Sequence, residues 1–111
     1  MEYIEVERKV IEFRKERNWM QFHQIKDLLL ALSIEVSELQ ELYLWKNEAQ
    51  QSEIDIEKIK DEVADIAIYL IYICKHHEIG LLEAISNKII KNDTKYPVDK
   101  SYNSIKKYNE F

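Results

Sequence analysis

The stretch Ile34–Trp45, IEVSELQELYLW, sets the terms for the whole chain. Read as a helix, it continues an apolar stripe of Leu28, Leu32, Leu39 and Leu42, at spacings of four, seven and three. Glu35 occupies the missing place in that stripe. Glu38 follows one turn later, on a row with Ala31 and Trp45. Side chains three residues apart are neighbours on a helix surface, so both carboxylates stand at the edge of a face that otherwise belongs to a core.

A second stretch, DEVADIAIYL (61–70), repeats the arrangement. Ile59, Val63, Ile66, Leu70 and Ile73 form an apolar stripe, and beside it runs a row of Glu62, Asp65, Tyr69, Tyr72 and His76. Glu62 and Asp65 are again three apart. Most helical acids only solubilise, and Glu41, Glu48, Glu53 and Glu57 read that way. A single acid in register with a core stripe can also be a boundary residue paired with a lysine. Two such pairs on consecutive helices are harder to explain so. A buried carboxylate costs several kcal/mol unless it is paired or metal-bound, and no arginine is placed by the sequence to supply the counter-charge.

Outward from these pairs, the chain reads as four helices. The spacing predicts them over Tyr3 to Arg17 (Ile4, Val6, Val10 and Phe13 inward), Gln24 to Lys46, Ile54 to His77, and Leu82 to Lys91 (Leu82, Ile85 and Ile89 on one face). The polar segment KNEAQQSEID (46–55) reads as a connection, Gly80 as a helix stop, and 98–111 as a polar tail after Pro97. One Gly and one Pro in 111 residues argue for long helices and against a turn-rich β fold. A hydrophobic content of 46% suits one domain, 1–97, folded as an antiparallel four-helix bundle. The second and third helices carry apolar residues over more than one stripe, so a second subunit is expected to cover part of them.

Composition also excludes. A net charge of −5 suits neither tracking nor wrapping a nucleic-acid backbone. Cys74 is the only cysteine, so neither an internal disulfide nor a cysteine zinc site can form. The N-terminus MEYIEVERKV is charged from its second residue, unlike a secretion signal. The longest apolar run, Ile66–Cys74, is about half the ~20 residues of a membrane span. The expectation is a soluble, cytoplasmic protein with no membrane or nucleic-acid partner. Oxygen-only ligands select a hard cation, Mg²⁺ or Mn²⁺, and a Mg²⁺ site suggests phosphoryl or nucleotidyl chemistry. A di-iron bundle would want Glu-x-x-His pairs, whereas both pairs here are acidic.

The chain resembles the MazG-like all-α nucleoside triphosphate pyrophosphohydrolases, and among them the dCTP pyrophosphatase branch, over about residues 10–97. The resemblance is carried by EFRKERNWMQFH (12–23), DLLLALSIEVSELQELYLWK (27–46), DEVADIAIYLIYI (61–73) and SNKIIKNDTKYP (86–97). It implies a bundle that assembles as a homodimer or homotetramer, binds Mg²⁺, and cleaves a nucleoside triphosphate to the monophosphate and pyrophosphate. Glu35, Glu38, Glu62 and Asp65 match the metal-binding acids, with Glu38 the candidate catalytic residue that orients water. Trp19, Trp45 and Tyr69 match aromatic positions around the base, and Lys88, Asn92 and Tyr96 match polar positions near phosphates and sugar. Phe22 and His23 read as structural, and His76 and His77 as cations at a helix end. The chain departs from its relatives at Val10, where they carry a histidine, at Asp93, Thr94 and Lys95, where they carry arginines, and in a shorter connection after Trp45. A dUTPase-like or phosphoribosyl-ATP pyrophosphohydrolase-like enzyme would use a similar acidic frame, and a non-catalytic interaction module is the alternative from another class.

Overall fold

The structure, a computed structural model, describes residues 1–111 and is helical throughout. Its helices are α1 (Tyr3–Glu16), α2 (Ile25–Glu41), the short α3 (Glu48–Gln51), α4 (Ile56–His76), α5 (Leu81–Lys95) and the short α6 (Val98–Ser101). Single 3₁₀ turns occupy Trp19–Phe22 and Tyr108–Glu110. The chain divides into two units, Met1–Glu78 and Ile79–Phe111. No helix is long and apolar enough to cross a membrane.

The first unit is a helical bundle built on the pairing of α2 with α4. The two run antiparallel. His23, just ahead of α2, lies with its ring 5.0 Å from that of Tyr72 near the far end of α4, whereas Glu35, midway along α2, meets Glu62 and Asp65 in the first half of α4. The connection between them is built locally. Asn47 caps α3 reciprocally with Gln50, at 2.9 Å in both directions, and the Asp55 carboxylate accepts from the Glu57 N–H at 3.0 Å to open α4. α1 runs antiparallel to α4: Glu7 lies 4.0 Å from the Lys75 ammonium, and further along α1 the Val10 carbonyl oxygen accepts from the Tyr72 hydroxyl at 3.1 Å. The tight turn from α1 into the 3₁₀ segment is made at Asn18 (φ 52°), in the left-handed region that asparagine tolerates better than most residues.

Several expectations need correcting. The second helix stops at Glu41 rather than Lys46, and the chain turns through Leu42–Trp45, with Trp45 at φ 62°. The segment read as a bare connection contains α3. Gly80 is not the stop of α4: that helix ends at His76, and Glu78 (φ 55°) takes the left-handed position, while Gly80 precedes α5 with φ −80°. The fourth long helix extends to Lys95, four residues beyond Lys91.

Burial within the first unit falls differently from the periodic reading. Val10, Leu28, Ile71 and Tyr72 form the buried hydrophobic core, and Leu28 is the one fully buried side chain at 2% exposure. On α4 the row of acids and tyrosines turns inward, with Tyr72 buried and Glu62 and Tyr69 partly so, while of the expected core stripe Ile59, Ile66 and Ile73 are partly buried and Val63 and Leu70 are exposed. Leu29, Leu30 and Ile34 on α2 are exposed as well. The core also holds a charge that the sequence reading did not place there: Arg14 is only 5% exposed.

In the second unit the residues after Pro97, read as a polar tail, form the short α6 and a 3₁₀ turn. The chain turns back so that the rings of Tyr108 and Phe111 each meet Tyr96 edge-on, both at 6.0 Å, and the Lys95 ammonium sits 4.9 Å from the centre of the Tyr108 ring. Leu82, Ile85 and Ile89, expected together on one face of α5, are exposed.

Candidate functional site

α2 and α4 bring together the acids that break their apolar stripes. One carboxylate oxygen from each of Glu35, Glu62 and Asp65 lies within 4.8 Å of the others. Glu38 is not part of that trio, but its charge acts on both Glu35 and Glu62. Oε2 of Glu35 and Oε2 of Glu62 are shielded from solvent and have no hydrogen-bond partner. An acceptor left so is costly, and two on adjacent carboxylates add mutual repulsion. A divalent cation relieves both, and an all-oxygen donor set of this kind suits a hard one. The chain therefore carries a candidate acidic metal-binding cluster.

The electrostatics agree. Burial, with Glu38 and then Asp65 adding to it, pushes the Glu35 carboxyl from an ordinary 4.5 up to about 7. Burial and the neighbouring Glu38 also raise Glu62. Burial, then the charges of Glu35, Asp65 and Glu38, raise the Tyr69 hydroxyl, which ties that side chain to the acidic cluster.

Glu35 titrates higher in the folded chain than in the unfolded one, so its protonated form stabilises the fold. That contribution is complete below pH 4.5 and is lost as the pH rises through about 7. In chelator, thermal melting is expected to fall over this window, relative to a Glu35→Gln protein measured alongside it. His23, whose pKa is lowered by burial and then by Arg14, acts in the opposite sense but equally in both proteins. A flat or rising difference between the two would refute the assignment.

The acids border a cavity of about 420 Å³, within the ~300–1,000 Å³ range of small-molecule sites. Glu35 and Asp65 line one part of it, and Val6, Val10, Phe13 and Ile68 give it apolar walls. Trp19, His23, Tyr69 and Tyr72 supply aromatic surface. The Asn18 turn and the 3₁₀ segment carry Trp19 to this wall, where it stands edge-on to Phe13 at 5.7 Å.

The expected site residues thus divide. Glu35, Glu62, Asp65, Trp19 and Tyr69 converge on one place, with Glu38 beside the acids. Trp45 does not join them: it is 91% exposed and does not line the cavity, because α2 ends four residues before it. Lys88 and Asn92 belong to α5 and Tyr96 follows it, all in the second unit, where Asn92 accepts the Tyr96 N–H at 2.8 Å. The sequence reading missed the contribution of α1. Of the four positions expected in a core there, Val10 is buried and lines the cavity together with Val6 and Phe13, whereas Ile4 is exposed. His23, expected to be structural, lines it too. Arg14 carried a readable signal, since it stands four residues after Val10, a charge in register with an apolar row.

The model of the MazG-like family matches residues 30–111, and the chain belongs to that family. Within it, the resemblance is to dCTP pyrophosphatases. The chain is 38% identical to dCTP pyrophosphatase 1 of Rattus norvegicus and 35% identical to that of Homo sapiens, each across 96% of this chain. It spans 65% of the length of these two relatives. A crystal structure of a pyrophosphatase from Archaeoglobus fulgidus matches with a TM-score of 0.78 at 36% identity, over 84% of this chain and 90% of that one.

Proposed function

We propose that the protein is a Mg²⁺-dependent nucleoside triphosphate pyrophosphohydrolase, acting on a dCTP-like nucleotide and releasing the monophosphate and pyrophosphate. The observation that carries this reading is the acidic trio, with its two orphaned oxygens, at the border of an aromatic cavity of nucleotide size. An interaction module has no use for repelling carboxylates beside a hollow. The names of the relatives point the same way.

Glu35, Glu62 and Asp65 would hold the metal, with Glu38 alongside, and Mn²⁺ is chemically able to substitute. The bound ion supplies neutralisation of phosphate charge and polarisation at the α-phosphorus. The chain supplies the rest. Trp19 and Tyr69 flank the base, Glu38 orients the attacking water by accepting its proton, and no covalent nucleophile is needed. Lys88 suits a phosphate as a point charge, and Asn92 and Tyr96 continue its row at spacings of four.

The assembly we propose is a homodimer or homotetramer. Its support is the apolar side chains a single chain leaves exposed: Leu29, Leu30 and Ile34 on α2 and Val63 and Leu70 on α4 in the first unit, and Ile85 and Ile89 on α5 in the second. Trp45 belongs with this surface. An exposed tryptophan with left-handed backbone is doubly costly, and a partner subunit would cover it.

The test is an assay of pyrophosphate and orthophosphate over the common ribo- and deoxyribonucleoside triphosphates. The expected result is pyrophosphate from at least one of them, with Mg²⁺ required. No pyrophosphate from any of them would refute the reading. So would a melting temperature indifferent to Mg²⁺ plus nucleotide, the behaviour of a scaffold.

A further inference from the structure

Arg14 is buried on α1, yet no carboxylate stands within ion-pair distance of its guanidinium. Instead it meets two rings. The guanidinium carbon lies 4.6 Å from the centre of Tyr72, and Nη1 lies 3.3 Å from Nδ1 of His23. Tyr72 is itself anchored through its hydroxyl to Val10, and His23 leans on Tyr72 at 5.0 Å. The imidazole is therefore held from two sides.

Arginine has only N–H donors and never an acceptor. Nδ1 of His23 must then be the acceptor, carrying a lone pair and no proton. The ring proton resides on Nε2, and the ring is neutral, because a doubly protonated imidazole would set N–H against N–H. Burial and the charge of Arg14 press His23 toward the same neutral form. Nε2 has no acceptor within the chain. His23 lines the cavity, whereas Arg14 does not.

We propose that Arg14 is a positioning residue that fixes His23 as a neutral Nε2–H donor in the cavity wall, where it takes an acceptor atom, a carbonyl oxygen or ring nitrogen, of the nucleobase. The base contact rests on the nucleotide reading above; the action of Arg14 on His23 does not. Beside His23, the Tyr72 hydroxyl is spent on the Val10 carbonyl oxygen, so the Nε2–H is the free donor at that point, and a donor of fixed position influences which ligand edge is accepted.

Two-bond ¹H–¹⁵N correlation of the histidine rings tests the first link. In the unaltered protein His23 is expected to show an unprotonated Nδ1 and a protonated Nε2. Arg14→Met keeps the aliphatic stem and removes the donor, and is expected to give a mixture of tautomers. Arg14→Lys restores a donor and is expected to restore the signature. The second link is read with dCTP and Mg²⁺. Arg14→Met and His23→Phe are each expected to raise KM about tenfold with kcat within about twofold, and the double variant to be no worse than His23→Phe alone. A protonated Nδ1 in the unaltered protein overturns the proposal, with no variant needed. So does an Arg14→Met protein that folds and keeps both tautomer and KM. If the unaltered protein hydrolyses no nucleotide, the nucleotide reading and the base contact fall, while the tautomer still decides what Arg14 does to His23.

Discussion

Glu62→Gln is expected to reduce Mg²⁺-dependent pyrophosphate release by at least about a thousand-fold, the scale set by several kcal/mol of lost charge stabilisation. In chelator the same change is expected to raise the melting temperature. The two effects have one cause. Glu62 Oε2 is shielded and unpartnered, and its carboxylate sits against Glu35 and Glu38. Glutamine preserves the shape, removes one negative charge and offers an amide N–H₂ to the neighbouring oxygens, so repulsion becomes hydrogen bonding. What the metal-free fold gains, the metal site loses, and the stabilisation by Mg²⁺ plus nucleotide should shrink with it. Glu38→Gln separates holding from orienting. It too should lose turnover, but it should keep most of the shift in melting temperature on adding Mg²⁺ plus nucleotide. Calorimetry and a pyrophosphate assay on the two variants decide the matter. Full turnover in Glu62→Gln would remove the acidic cluster from the reaction, and full turnover in Glu38→Gln would remove Glu38 from it.

The second large effect lies in the core. Leu28→Ala is expected to destabilise the protein by about 3 kcal/mol, from lost burial and from the cavity left behind. Leu28 is 2% exposed and fully enclosed, and the buried hydrophobic set that it belongs to has only three other members, Val10, Ile71 and Tyr72. Net folding stabilities are about 5–15 kcal/mol, so one such truncation removes a large share. Leu30→Ala, on the same helix but exposed, is the comparison. Whatever Leu30 contributes through contact with a second subunit must vary with protein concentration, whereas the Leu28 effect must not. Denaturant titration at two concentrations reads both. A Leu28→Ala protein within about 0.5 kcal/mol of the original would mean that the core has been assigned to the wrong residues.

The acidic cluster was legible because its signal is periodic. Glu35 stands in a leucine stripe and Glu62 and Asp65 beside an isoleucine one, and helical spacing alone places all three at a helix–helix contact. Arg14 gave the same signal on α1 and passed unread, since one arginine in a charged helix looks solvated until the opposing tyrosine is known. Tyr72 lies 58 residues away in the chain, and no local pattern links the two. Trp45 shows the opposite limit. Its row position was extrapolated along a helix that stops at Glu41, and helix ends depend on cap geometry more than on period. The exposure of Val63 and Leu70 shows a further limit. Periodicity finds apolar stripes, but it does not tell which stripe a chain buries by itself and which it leaves for a neighbour.

The two tryptophans differ in setting, Trp19 being 43% exposed and Trp45 91%, so the protein carries its own optical gauge. Trp19 stands edge-on to Phe13 on the cavity wall, while Trp45 is 91% exposed on a turn. Emission from Trp45 should be red-shifted and open to iodide quenching, and it should respond to subunit association. Emission from Trp19 should respond to whatever enters the cavity. With Trp45 changed to phenylalanine, the remaining indole becomes a single-site reporter of ligand arrival. The converse change leaves a reporter of assembly, and filling and association can then be followed as separate events in the same molecule.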